Sequence, residues 1–232
     1  MIALRKSGER GAFDHGWLDT KHTFSFSSYY DSRFMGFRTL RVINEDRISA
    51  GEGFGTHPHH DMEIVTYVIA GALEHRDSLG SGGVLRRGDV QAMTAGTGLT
   101  HSEFNHSRDE PVWLIQTWIL PAERKSKPAY DQKAFDDETK RNRLVAIASG
   151  RGERDALPIG QDATIYATLL DAGQDVRHAF DEGRAGWVQV ISGSLVLNGE
   201  TLAAGDGAAL EDEHEIALAA TTDSELLLFD LP

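Results

Sequence analysis

The feature that most constrains this chain is an internal repeat. Val68-Ile69-Ala70-Gly71-Ala72-Leu73 resembles Val190-Ile191-Ser192-Gly193-Ser194-Leu195, and Leu85-Arg86-Arg87-Gly88-Asp89 resembles Leu202-Ala203-Ala204-Gly205-Asp206. Each half then closes on an apolar run ending in Leu-Pro, at Leu120-Pro121 and Leu231-Pro232. Three matches in the same order predict two copies of one module. In a chain of 232 residues each copy has roughly 100 residues, a usual domain size.

The module is built of strands. Arg38–Ile48, Met62–Ile69, Val112–Leu120, Trp187–Ile191 and Glu225–Phe229 are apolar or alternating runs rich in β-branched and aromatic residues. Turn chemistry separates them at Ala70-Gly71, Ser78–Gly83, Arg87-Gly88-Asp89, Asn198-Gly199 and Gly205-Asp206-Gly207. Helix periodicity is scarce. The polar stretch Tyr130–Asn142, with Asp131 as its cap, reads as a short helix or linker. The expected division is therefore 1–125, a linker over 126–142, and 143–232, each flank an all-β barrel or sandwich.

Composition removes several functions. There is no cysteine, which excludes disulfides, iron–sulfur clusters, thiolate zinc sites and a cysteine nucleophile. A net charge of −13 repels a phosphate backbone, so direct nucleic-acid binding is not expected. No apolar run reaches the roughly 18 residues of a membrane span. Met1–Lys6 lacks the apolar stretch of a signal peptide, so the expected location is the cytoplasm.

Three of the ten histidines sit where chemistry would want them. In Thr56-His57-Pro58-His59, the His-x-His spacing puts two imidazoles on one face of a strand, about 6.5–7 Å apart at the backbone. In Thr100-His101-Ser102-Glu103 the same spacing joins a histidine to a carboxylate. If the two strands are neighbours, three nitrogens and one oxygen meet at one point. That donor set suits Fe(II), Zn, Cu, Ni or Mn, and softness does not choose among them. Glu63 follows His59 with the right parity and competes with Glu103 for the carboxylate role, or orients a ligand histidine. His60 has the wrong parity. His75, beside Arg76 and Asp77, reads as solvent-facing, and His106 as loop. His15 and His22 read as packing or surface, with lining a pocket as the alternative, and His178 and His214 as structural.

These residues resemble a known family. Gly51 followed by His57-x-His59 and Glu63 resembles the first motif of the cupin superfamily, and Gly88 followed by Thr94–His101, with Asn105, resembles the second. Thr94 stands where the second motif usually has proline, and two extra residues separate Gly96 from His101. That variant, leading into His101-Ser102-Glu103, resembles the pirin family, in which the second motif supplies the carboxylate. His22-Thr23-Phe24-Ser25-Phe26, Met35-Gly36-Phe37, Arg41-Val42-Ile43-Asn44, Gly53–His59, Gln116-x-Trp118 and the closing Leu228–Pro232 are similar to its bacterial branch.

The resemblance covers nearly the whole chain. It implies two stacked cupin (double-stranded β-helix, jelly-roll) barrels, with metal only in the first, on His57, His59, His101 and Glu103. Aligning the repeats puts Ala179 and Asp181 opposite His57 and His59, and Leu218 and Ala220 opposite His101 and Glu103, so no metal set survives in the second.

The resemblance further implies quercetin 2,3-dioxygenase activity. One divalent metal, Fe(II) first and Zn, Cu, Ni or Mn otherwise, would polarise a flavonol-like substrate for dioxygen, with Glu103 as base and Glu63 in reserve. Phe24, Phe26, Met35, Phe37, Glu63 and Met93 are the expected pocket residues. The expected partners are a small aromatic substrate and dioxygen, and two joined barrels imply a monomer. A different reading, from the eukaryotic relatives, is a regulator whose metal redox state alters a protein-binding surface without turnover. A cupin isomerase or a purely structural metal is the third.

Overall fold

A computed structural model describes all residues, Met1–Pro232. The chain forms two compact units. One comprises Gly11–Asp136 with Leu157–Gln161; the other comprises Met1–Arg10, Asp137–Ala156 and Asp162–Pro232. Both are β-built, and no helix is long and apolar enough to cross a membrane.

The first unit contains two antiparallel sheets. In the larger, the neighbours run Ala129–Ala134, Asp89–Thr94, Glu63–Ala70, Val112–Ile119, Leu40–Ile48, Leu18–His22 and Gly11–Asp14. In the smaller they run Gly53–His59, Leu99–Asn105, Ala72–Asp77 and Gly82–Arg86. Val68, Leu73, Leu85, Val112 and Leu114, from both sheets, form one buried cluster of the interior. The second unit repeats the plan. Its four-stranded sheet runs Asp175–Ala179, Glu215–Ala220, Ser194–Leu197 and Glu200–Ala203, and Val188, Leu195, Leu202 and Leu218 fill its core.

The sequence repeats are the points where the chain changes sheet. Gly71 ends the large-sheet strand Glu63–Ala70 and opens the small-sheet strand Ala72–Asp77; Gly193 does the same between Ala185–Ser192 and Ser194–Leu197. Their φ angles are +78° and +80°, and a Cβ would lie 2.5 Å from the Pro111 carbonyl oxygen at Gly71 and 2.2 Å from that of Asp223 at Gly193. Only glycine fits there. At the return crossing, Gly88 donates its amide to the Val68 carbonyl and Gly205 donates to that of Val190, both at 2.9 Å.

Two expectations take a more specific form in the structure. Tyr130–Asn142, expected as a short helix or linker, holds a short helix at Asp137–Lys140, but its first part belongs to the strand Ala129–Ala134, paired with Asp89–Thr94. Pairing with a sheet edge overrides the polar composition, and Asp131 accepts from the Gln132 amide within the strand instead of capping a helix. The division along the chain also differs from 1–125 and 143–232. Ile2–Arg5 pairs with Gly207–Leu210, which places Met1–Arg10 in the second unit, and Leu157–Gln161 belongs to the first.

Candidate metal centre

Gly53–His59 is the edge strand of the small sheet, where Pro58 removes no ladder hydrogen bond that the fold needs. It pairs antiparallel with Leu99–Asn105 so that His57 stands opposite His101 and Leu99 opposite His59. A register shift between His101 and Glu103 sets Phe54 opposite Glu103, a bulge that re-aims side chains as bulges beside functional sites commonly do. The three imidazoles converge: ring centroids are 4.8 Å apart for His57 and His59, 4.5 Å for His57 and His101, and 4.9 Å for His59 and His101.

The protonation pattern suits metal binding. His57 Nδ1 lies 2.8 Å from the Gly55 carbonyl oxygen, so Nδ1 carries the hydrogen and Nε2 presents a lone pair. Burial, reinforced by the neighbouring His101 and His57, pushes His59 down to about 4. Burial, with His57 and His75 close by, pushes His101 down to about 3. Both rings are therefore neutral near pH 7, as ligands must be. His57, His59 and His101 form a group whose donor atoms lie within 4.8 Å of one another.

Glu103 is buried and held by two amides. Gln91 Nε2 donates to its Oε1 at 2.5 Å, and Gln116 Nε2 donates to its Oε2 at 2.8 Å. Trp118 Nε1 donates to Gln116 Oε1 at 3.1 Å and orients that amide, while the Tyr130 hydroxyl lies between two amide oxygens, 2.9 Å from Gln132 Oε1 and 3.2 Å from Gln91 Oε1. The Glu103 donor atom groups with His101 and His75, also within 4.8 Å, and its carboxylate lines the same cavity as His57 and His59.

That cavity has a volume of about 460 Å³. Its walls include Trp17, Phe26, Phe54 and Trp118, with Asn44 and Asp46 at a polar end. Trp118 meets both His59 and Phe26 edge-on, at 4.9 and 5.2 Å between centroids. An adjoining lobe of about 300 Å³ shares Asn44 and Asp46 and adds Thr20 and His22.

Of the expected pocket residues, Phe26 lines the cavity. Phe24 is buried in the core, Met35 is exposed, Phe37 forms a local bridge with Leu40, and Met93 packs with Ile64 and Leu99. Glu63 is buried but turned elsewhere, accepting from Thr94 Oγ1 at 2.7 Å, and burial raises its pKa. Its parity with His59 is broken because Asp61, at φ +48°, turns the chain between two different sheets. His75 is the largest departure from expectation. Its side chain and that of Asp77 are fully buried; its ring stacks on Tyr130 at 4.3 Å and lies 5.3 Å from that of His101. The alternation Leu73-x-His75-x-Asp77, three inward positions on one strand, carried that signal. In the second unit, Val176, Leu218 and Ala220 occupy the core, and His178 Nε2 meets Asp230 at 2.8 Å.

A β-barrel with three converging imidazoles and an adjacent buried carboxylate defines a metal-binding cupin. Residues 3–119 match the family described as Pirin, and residues 146–231 match the Quercetinase C-terminal cupin domain. The chain belongs to the pirin family. It is 47% identical to the quercetin 2,3-dioxygenase of Escherichia coli K12, over 100% of this chain and 99% of that protein. It is 42% identical to a pirin-like protein of Caulobacter vibrioides, over 99% of each. The crystal structure of the bacterial pirin YhhW from E. coli in complex with nickel(II) superposes with a TM-score of 0.95 at 46% identity, covering 100% of this chain and 99% of that one.

Proposed function

We propose that this protein is a mononuclear metal-dependent dioxygenase that cleaves a flavonol-like substrate, in the manner of a quercetin 2,3-dioxygenase. The observation that carries the reading is one aromatic-walled cavity onto which His57, His59 and Glu103 all open. Flat walls at Trp17, Phe26, Phe54 and Trp118 suit a planar polycyclic ligand, and a cavity of about 460 Å³ falls within the usual range for a small-molecule site.

His57, His59, His101 and Glu103 would hold the metal. When bound, a divalent transition metal supplies Lewis acidity toward an enolic hydroxyl and a centre able to engage dioxygen. The chain's own residues do the rest. Glu103 accepts the hydroxyl proton at a carboxylate oxygen, and Gln91 and Gln116 keep that carboxylate from swinging away. The aromatic walls contact the ring and exclude water, while Asn44 and Asp46 offer polar partners to the ligand. Fe(II) is our first candidate, and the nickel complex of the E. coli relative makes nickel the first alternative. We further propose a cytoplasmic monomer that engages a small aromatic substrate and dioxygen, and neither nucleic acid nor membrane.

The test is oxygen uptake with quercetin by metal-free protein reconstituted separately with Fe(II), Ni, Cu, Mn and Zn, with His101→Ala as control. Many turnovers per site with one metal, lost in the control, are expected. Stoichiometric binding without turnover for every metal would overturn the enzymatic reading in favour of a metal-dependent regulator.

A further inference from the structure

Two imidazole nitrogens are buried in the first unit without a hydrogen-bond partner: Nδ1 of His101 and Nδ1 of His75. A lost partner on a buried polar atom ordinarily costs about 1–3 kcal/mol, so two of them on neighbouring rings, 5.3 Å apart between centroids, call for a physical reason. Geometry supplies one. His75 Nε2 lies 3.1 Å from Asp77 Oδ2, and Asp77 Oδ1 accepts the amides of Leu79 and Ser81, each at 2.9 Å. Asp77 is thus fixed by its turn and acts on His75 only as an acceptor. His75 must carry its hydrogen on Nε2, which leaves Nδ1 a lone pair. Tyr130 stacks at 11° on the ring and holds its plane.

His101 has two neutral tautomers with opposite consequences. With the hydrogen on Nε2, it donates across 3.0 Å to His57 Nε2, whose own hydrogen is committed to Gly55, and both Nδ1 atoms are lone pairs with no donor between them. With the hydrogen on Nδ1, Nε2 presents a lone pair beside that of His57, and Nδ1–H has an acceptor in His75. The His75 and His101 rings are 5.3 Å apart between centroids, a separation that a direct bond or one bridging water can span.

We propose that Asp77 and His75 form a positioning relay that stabilises the metal-binding tautomer of His101, so that metal capture and completion of the Asp77–His75–His101 chain are one event. This rests on the assignment of His57, His59 and His101 as metal ligands. The relay holds the His101 ring, raises its basicity toward the metal and links the centre to a buried carboxylate that does not touch it. Asp77→Asn reverses the pattern: its amide donates to His75 Nε2, the hydrogen moves to His75 Nδ1, and two donors then confront each other.

The experiment has two arms. Long-range proton–nitrogen NMR of the metal-free and zinc-loaded parent protein reads the His101 tautomer directly; the expected result is a hydrogen on Nε2 without zinc and on Nδ1 with it. Competition against a chelator reads zinc and nickel affinity. Asp77→Asn and His75→Leu are expected to weaken both by about 10–100-fold. His75→Gln, whose side-chain oxygen accepts from His101, is expected to restore most of the loss. An unchanged tautomer on zinc binding, or parental affinity in both Asp77→Asn and His75→Leu, would overturn the relay. Failure of the parent itself to bind metal would instead overturn the ligand assignment.

Discussion

His57 and His101 are register partners across an antiparallel pair, and their Nε2 atoms lie 3.0 Å apart. Two lone pairs do not share that separation without a proton or a cation between them. His57→Ala or His101→Ala should each lower metal affinity by more than the ~10–100-fold typical of an outer partner, read by elemental analysis after dialysis. Glu63→Ala, which alters a carboxylate bonded to Thr94, should retain stoichiometric metal.

Gln91 and Gln116 act as a pair of hands on Glu103. Gln91→Leu removes a charge-assisted hydrogen bond in the barrel interior and should destabilise the metal-free protein by about 1.5–3 kcal/mol in urea titration. Trp118→Phe keeps the wall but frees the Gln116 amide to flip; the expected signature is a fall in kcat larger than the rise in KM.

The low pKa values of His59 and His101 tie stability to pH. The unfolded chain binds protons near pH 6.5, whereas the folded metal-free protein does not until about 4 at His59 and about 3 at His101. Between those limits the unfolded state holds more protons, so stability must fall as pH falls. The Tm of metal-free protein should decline from pH 6.5 to 4, and saturating zinc should steepen the decline because protons then also compete with metal. A flat Tm profile would contradict the burial of these rings.

Gly71 and Gly193 occupy equivalent crossings at positive φ against backbone carbonyls. Gly71→Ala and Gly193→Ala should each cost at least ~1–2 kcal/mol from the left-handed backbone alone. The first should also loosen metal binding, and the second should not.

Much of this was readable in the sequence, for identifiable reasons. Strands buried on both faces, such as Val112–Ile119 and Ser224–Leu231, announced themselves as apolar runs, and the repeat marked the sheet crossings. His-x-His spacing was legible because strand parity is local. Parity failed where it had to pass a turn: Asp61 separates His59 from Glu63, and no local rule says which sheet comes next. His75 was hidden by its neighbours Glu74 and Arg76, whose charges belong to the outer face of the same strand. Tyr130 was hidden because its strand exists only by pairing with Asp89–Thr94. The cavity walls come from Trp17, Asn44, Phe54 and Trp118, far apart in the chain, and aromatic composition alone could not tell them from Phe24 or Phe37.

The strand Ile2–Arg5 waits for a partner, Gly207–Leu210, that follows it by about 200 residues. At ribosomal rates of about 5–20 residues per second, that is an interval of about 10–40 s. The first unit can assemble during this time, whereas Ile2–Arg5 is docked only after Gly207–Leu210 has been made. So long-range a closure is expected to make the second unit the slower of the two to fold. Altering Met1–Arg10 should therefore lower the yield of folded protein far more than it disturbs the finished cavity beside His57 and His59.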